Sequence, residues 1–361
     1  MDDYSEEMRL AREAHNMRRK KLMEQKRKRE KKIRSMKRMI VAIAALSVLT
    51  AAVFCTIGNI GEKSAESSMN AKATLEVAVD ANNSADDAVN KNVILYPYKS
   101  PSYQEITDPG ITSANIALLN VEDSQLIAGK GAEDRIYPAS MTKVMTIIIA
   151  AEHLTDLTQT YSLSNEQIHP LVQQQASRAG FDPGEVVTVK DLFYGLILPS
   201  GADAAVALSN LVAGSEESFA NLMNEKCNEI GLKNTHFCNA SGLFDENQYT
   251  TPLEMAMIMQ YAMSNPVCTE ILSTYQYRTT ATEQHPEGIL LSSTMFSRMY
   301  GNEVEGMTIK AGKTGYTDEA GNCLVTYAEK QGKHYIVVIA NGTYKWNVIF
   351  DDFTVYRNFM S

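Results

Sequence analysis

The sequence predicts an α/β fold: an antiparallel sheet flanked by helices, with an all-helical lobe inserted between the sheet's first and last strands. Three observations carry this. Strand-like pairs occupy residues 114–128 and 322–341, a helix apolar on nearly every side follows the first pair, and residues 156 to about 300 read mainly as helices. A helix without a polar face belongs inside a fold. At 361 residues, with 44% apolar and 21% charged, the chain is ample for one large domain with appendages.

The appendages come first. Residues 1–38 hold 15 basic and 7 acidic residues, a net charge of +8, and the remainder holds 19 basic and 36 acidic, a net charge of -17. Such asymmetry suggests two compartments. The run Met39 to Ile57 is uncharged and mostly apolar, and at helical rise it just crosses a hydrocarbon core. Basic residues directly before it place the N-terminus in the cytoplasm and everything after Gly58 outside. The basic head is thus expected to be a cytoplasmic tail (1–38) ahead of a transmembrane helix (39–58), not a nucleic-acid arm. Ala71-Lys72-Ala73 has the form of a signal-peptidase site, but it lies far beyond the apolar run, which is long for a signal peptide, so an uncleaved anchor is expected. Phe54 before Cys55 argues against lipidation. Residues 59–100, rich in Ser, Ala, Asn, Asp and Glu, cannot build a core and read as a flexible linker, leaving 101–361 as the folded domain.

Within that domain, Ala114–Val121 and Gln125–Ala128 flank a Glu122-Asp123-Ser124 turn. The buried helix runs on from Ser140. Asp191–Leu198 and Ala204–Val212 have core-like apolar spacing, Glu216–Ile230 starts from a capping Ser215, and Leu253–Met263 opens after Thr251-Pro252. Asn322–Glu329 and His334–Asn341 form a second hairpin through Lys330-Gln331-Gly332-Lys333. The closing segment Trp346–Met360 aligns Ile349, Phe353, Tyr356 and Met360 on one face for docking on a sheet.

Candidate chemistry centres on Tyr137-Pro138-Ala139-Ser140-Met141-Thr142-Lys143. A hydroxyl and an amine three residues apart share a helix face, so Ser140 is a candidate nucleophile with Lys143 as its own base. Burial would strip Lys143 of charge and let it accept a proton near neutral pH. The spacing alone occurs about once by chance in a chain this long, so the other motifs matter. In Ala311-Gly312-Lys313-Thr314-Gly315-Tyr316-Thr317, glycines either side of a Lys-Thr pair suit an edge strand that something approaches closely, where the lysine could bind a carboxylate. Ser200, in Leu198-Pro199-Ser200-Gly201-Ala202-Asp203, sits at a loop-to-helix junction, where a serine also serves as an ordinary N-cap. Cysteine and histidine spacing shows no metal site, and no cofactor is expected. Cys227 and Cys238 could bridge, or Cys227, Cys238, Cys268 and Cys323 could all stay as buried free thiols.

In order, Ser140-x-x-Lys143, Ser200-Gly201-x and Lys313-Thr314-Gly315 resemble the three motifs of penicillin-recognising serine enzymes. The surrounding text, including Gly231-Leu232-Lys233-Asn234-Thr235-His236-Phe237 and Ser241-Gly242-Leu243, is similar to the low-molecular-mass D-alanyl-D-alanine carboxypeptidases of bacterial peptidoglycan. That resemblance implies a β-lactamase/DD-peptidase-like fold and a serine peptidase that removes the terminal D-alanine from stem pentapeptides through an acyl-enzyme on Ser140. It implies Lys143 as general base, Ser200 as proton relay, and Lys313 with Thr314 as carboxylate grip. It also implies Gly315 beside the substrate and the Ser140 and Tyr316 backbone N–H groups as an oxyanion hole. The implied partners are the stem peptide, β-lactam antibiotics and the cytoplasmic membrane, with the catalytic domain extracellular.

One departure stands out: where the family's second motif has asparagine in third place, this chain has Ala202. A non-catalytic wall-binding scaffold of the same fold is the rival reading that this keeps open. A β-lactamase is the other, although Glu166-Gln167-Ile168-His169-Pro170 does not match a Glu-x-x-Leu-Asn deacylation motif.

Overall fold

The structure, a computed structural model, describes residues 95–299 and 304–360. The expected cytoplasmic tail, the transmembrane segment and most of the expected linker lie outside the described residues, among which no helix is long and apolar enough to cross a membrane. In chain order come β1 (Tyr98–Glu105), β2 (Asn115–Asn120) and β3 (Gln125–Lys130), then a 3-10 turn (Ala139–Thr142) running into α1 (Lys143–His153). The middle of the chain holds β4 (Thr160–Ser162), α2 (Asn165–Gln173), β5 (Val186–Thr188), α3 (Val189–Ile197), α4 (Ala202–Ala213) and α5 (Glu216–Ile230). It continues through α6 (Pro252–Ser264), α7 (Pro266–Leu272), β6 (Gln276–Arg278), β7 (Leu290–Ser292) and α8 (Phe296–Met299). Strands β8 (Met307–Thr317), β9 (Gly321–Lys330) and β10 (Lys333–Gly342) and the helix α9 (Asn347–Phe359) close it.

The main sheet has six strands in the order β1-β3-β2-β10-β9-β8. Its sequence-distant halves join where β2 pairs antiparallel with β10, Leu118 opposite Val337 and Ile116 opposite Ile339. Strand alternation then sorts the side chains. Ala117, Leu119, Val325, Ile336 and Val338 face one core with α1 and α6, whereas Ile116, Leu118, Leu324, Val337 and Ile339 face a second core. Ile349, Phe353, Tyr356 and Met360 from the closing helix fill that second core, as the stripe predicts. The β9–β10 loop is two residues, Gln331 and Gly332, both at positive φ, the twist that a two-residue hairpin loop requires.

The details depart from expectation in four places. The sheet is not wholly antiparallel, because β1 runs parallel to β3, and β1 begins at Tyr98, inside the stretch expected to be linker. The stretch 156–300 is not purely helical: β4 pairs with β5 and β6 with β7 in two short ribbons. Its helix α6 packs over β2 and β10 of the main sheet instead of joining a separate lobe. All four cysteines among the described residues are free, one of the two alternatives the sequence left open, but Cys238 is half-exposed and not buried like the other three.

Capping explains several boundaries. The Ser215 hydroxyl accepts the Ser218 N–H at the start of α5, which ends on Gly231 at φ 85°. Thr251 accepts the Glu254 N–H and Pro252 takes the first position of α6.

Candidate active site

Ser140 is presented on a sharp turn. Ala139 holds φ 45°, a left-handed conformation costly for a residue with a Cβ, so the chain cannot enter α1 smoothly and makes a 3-10 turn first. Ser140 therefore sits one turn ahead of the α-helix proper, a difference from the expected continuous helix. The apolar run behind it explains why α1 is fixed: Val144, Met145, Ile147, Ile148 and Ala150 are all fully buried.

Lys143, at the first position of α1, is 2% exposed and points its amine to the Ser140 hydroxyl, Nζ to Oγ 3.0 Å. The same amine donates to the Ser241 carbonyl. Burial pulls the Lys143 pKa down to about 7, against the attraction of the Asp203 and Glu216 carboxylates, which favours its charge. An amine titrating there is suited to take a proton from a hydroxyl at neutral pH.

The second serine is not an N-cap. Gly201 takes the cap position of α4, while Ser200 sits at φ 67° and its hydroxyl accepts from Lys313 Nζ at 2.8 Å. Lys313, on the edge strand β8, is 1% exposed and also donates to the Thr314 carbonyl at 2.8 Å. Burial lowers its pKa well below the ordinary lysine value, and repulsion from Lys143 and Arg298 adds to this. The two buried amines thus disfavour charge on each other. The Thr314 hydroxyl bonds that of Thr294 at 2.7 Å.

Gly315 marks where β8 crosses the turn that carries Ser140. A Cβ there would stand 3.1 Å from the Ser140 nitrogen and 3.1 Å from the Pro138 carbonyl. The Tyr316 side chain points away to solvent, 59% exposed, with its hydroxyl on Asp318. Only its backbone could serve the site. Glu166 is exposed on α2, and among the described residues no cluster of His, Cys, Asp or Glu could hold a metal.

Three contributors escaped the reading of the sequence. The Ser241 carbonyl orients the Lys143 amine. Gly242, at φ 77°, lies so close to the turn that a Cβ would meet the Ala139 carbonyl oxygen at 2.1 Å; its place in Ser241-Gly242-Leu243 was the available signal. Asp203 is fully buried and accepts the backbone N–H groups of Ala179, Gly180 and Ala204, which ties the Ser200 segment to the loop behind it. Ala202 packs among Leu171 and Val206 with Ala176 and Leu243 nearby, so an apolar patch stands where the resemblance expects an amide.

A profile of the D-alanyl-D-alanine carboxypeptidase family Peptidase_S11 matches residues 102–343. The chain is 32% identical over 223 residues to D-alanyl-D-alanine carboxypeptidase DacF of Bacillus subtilis, covering 62% of this chain and 55% of that one. It is 32% identical over 244 residues to DacA of Escherichia coli K12, covering 65% and 57%. The aligned part thus spans under two thirds of these relatives' length. Among solved structures, the Streptomyces K15 DD-transpeptidase superposes with a TM-score of 0.62 at 27% identity, covering 70% of this chain and 99% of that one. Fold, motif order and these likenesses agree: the chain belongs to the D-alanyl-D-alanine carboxypeptidase family, Peptidase_S11.

Proposed function

We propose that the protein is a serine-type D-Ala-D-Ala carboxypeptidase that trims peptidoglycan stem pentapeptides, and that β-lactams acylate it. The observation that carries the reading is the buried Lys143 amine, 3.0 Å from the Ser140 hydroxyl with a pKa drawn down to about 7. Neutral Lys143 takes the Ser140 proton as Oγ attacks the carbonyl between the two D-alanines. The tetrahedral oxyanion is received by the backbone N–H groups of Ser140 and Tyr316; loss of one such donor costs about 3 kcal/mol of barrier. Collapse breaks the C–N bond, the proton that Lys143 took passes by way of Ser200 to the leaving amine, and D-alanine departs with Lys143 neutral again. Water, deprotonated by the same base, then hydrolyses the ester and restores Ser140. Lys313 supplies the cation for the terminal carboxylate. Its amine is held by the Ser200 hydroxyl and the Thr314 carbonyl, and a carboxylate arriving beside it favours the ammonium form that burial disfavours.

The test is release of D-alanine from a stem pentapeptide. The wild type is expected to release one equivalent per peptide and Ser140→Ala none; binding without release in both would favour the wall-binding scaffold. Fast, repeated penicillin turnover would favour a β-lactamase.

We further infer that residues 39–58 anchor the chain in the cytoplasmic membrane of a bacterium, with the basic head inside and the peptidase domain outside. An uncharged run directly after a segment of net charge +8 supports this. The protein should sediment with membranes and resist carbonate extraction, and deletion of residues 1–58 should release it; a full-length chain found free in the soluble fraction would refute the anchor.

A further inference from the structure

Along β8 the residues assigned to the chemistry come in a fixed order: Lys313 and Thr314, then Gly315 against the turn that carries Ser140, then Tyr316. A substrate with its terminal carboxylate at Lys313 and its scissile carbonyl at Ser140 extends, towards its own N-terminus, in the direction of Thr317. From Lys313 to Thr317 is about 13 Å at strand rise, which carries the substrate past its last two residues to the one before them.

Thr317 lines a shallow cleft of about 160 Å³, open to solvent, together with Tyr137, Ala139, Leu243, Phe244 and Asp245. Phe244 is 46% exposed and stands edge-on to Tyr137, their ring centroids 5.1 Å apart. An open aromatic wall with one charged group beside it is the usual make-up of a specificity pocket. Asp245 is that group. Its Oδ1 accepts the Asn247 N–H at 2.8 Å, which fixes the side chain, and among the described residues no ion pair engages the carboxylate. Arg135, the cation that reaches this loop, lies over the Tyr249 ring and donates to the Glu246 carbonyl. Leu243 also packs against the Ala202 patch, where the resemblance expects an amide to hold the substrate. With that polar hold absent, discrimination on this side of Ser140 falls to side-chain contact.

We propose that this cleft is the subsite for the side chain of the residue preceding the two D-alanines, and that it selects a long aliphatic chain ending in a cation. Tyr137, Leu243 and Phe244 cover the methylenes, and Asp245 meets the charge. This rests on the reading of the protein as a D-Ala-D-Ala carboxypeptidase. The two contributions are separable, because the wall rewards length whether or not the chain is charged, whereas the carboxylate tells a cation from a neutral chain of the same length.

The experiment compares kcat/KM for D-alanine release by the full-length protein from three N-terminally acetylated peptides, X-D-Ala-D-Ala, with X lysine, norleucine or alanine. In the wild type, norleucine should exceed alanine by about tenfold through its added methylenes. Lysine should exceed norleucine by about threefold, the scale of a part-exposed ion pair. Phe244→Ala should cut the norleucine-over-alanine ratio to about threefold or less. Asp245→Asn, which keeps an oxygen for the Asn247 N–H, should bring lysine level with norleucine. Thermal unfolding checks that both variants fold. Equal rates on the three peptides in a wild type that releases D-alanine, norleucine at or above lysine, or a folded variant that keeps the wild-type ratio it should lose would each overturn the subsite. Release from none of the peptides would instead overturn the carboxypeptidase reading beneath it.

Discussion

Two buried lysines with few counter-charges are a poor choice for stability, and that cost is where chemistry can be read at the residue scale. Lys143 titrates near 7 in the folded chain and near 10.5 when unfolded. Between those values the unfolded chain binds more protons, so Lys143 makes stability rise with pH across that window, whereas below about 7 its full penalty applies. Denaturant unfolding of the wild type between pH 7 and 9.5 is expected to show this rise, and Lys143→Met to show a smaller one. The same variant should lose acylation, while wild-type acylation should climb through pH 7 as the amine becomes neutral. Acylation by Lys143→Met at the wild-type rate would show that the base is elsewhere. The Ser140–Lys143 spacing and the apolar run after it made this pair legible in the sequence. The Ser241 carbonyl was not, because a backbone acceptor leaves no local pattern.

At the scale of elements, the site depends on three segments brought to one point: the turn before α1, the junction before α4, and β8. The loop carrying Gly242 braces the first. Asn239 ties that loop, its side-chain oxygen accepting the Gly242 N–H at 2.7 Å and its amide donating to the Leu243 carbonyl at 3.0 Å. Gly242→Ala would drive a methyl into the Ala139 carbonyl at a φ that disfavours it, so the variant should lose about 2 kcal/mol or more and label at least tenfold more slowly. Wild-type stability and labelling together would show that the loop gives way and that the close approach is immaterial. Element type was readable wherever periodicity or capping was strong, as in α5, α6 and the β9–β10 hairpin. It failed at β1, whose eight residues are mostly exposed and follow a polar stretch, and at β4 to β7, too short for a period to show. The assignment of α6 to the lobe failed for a different reason. A helix apolar nearly all round can be buried against helices or against a sheet, and the sequence does not say which.

At the scale of the whole molecule, the sheet separates two duties. The core on one face buries α1 and so fixes the turn that carries Ser140; the core on the other is closed by α9, where the buried Thr326 hydroxyl bonds both Asp352 and Tyr356. Joining β2 to β10 is what brings the Ser140 turn, early in the domain, against Gly315 of β8, late in it; motif order suggested their proximity, and strand pairing supplies it. The proposed chemistry requires that Ser140 be the one reactive hydroxyl of the site. Intact-mass analysis after brief exposure to benzylpenicillin, followed by peptide mapping, tests it most directly. One adduct per chain on the peptide containing Ser140, absent from Ser140→Ala, is predicted; an adduct on another residue, or none under conditions where the protein is folded, would contradict it.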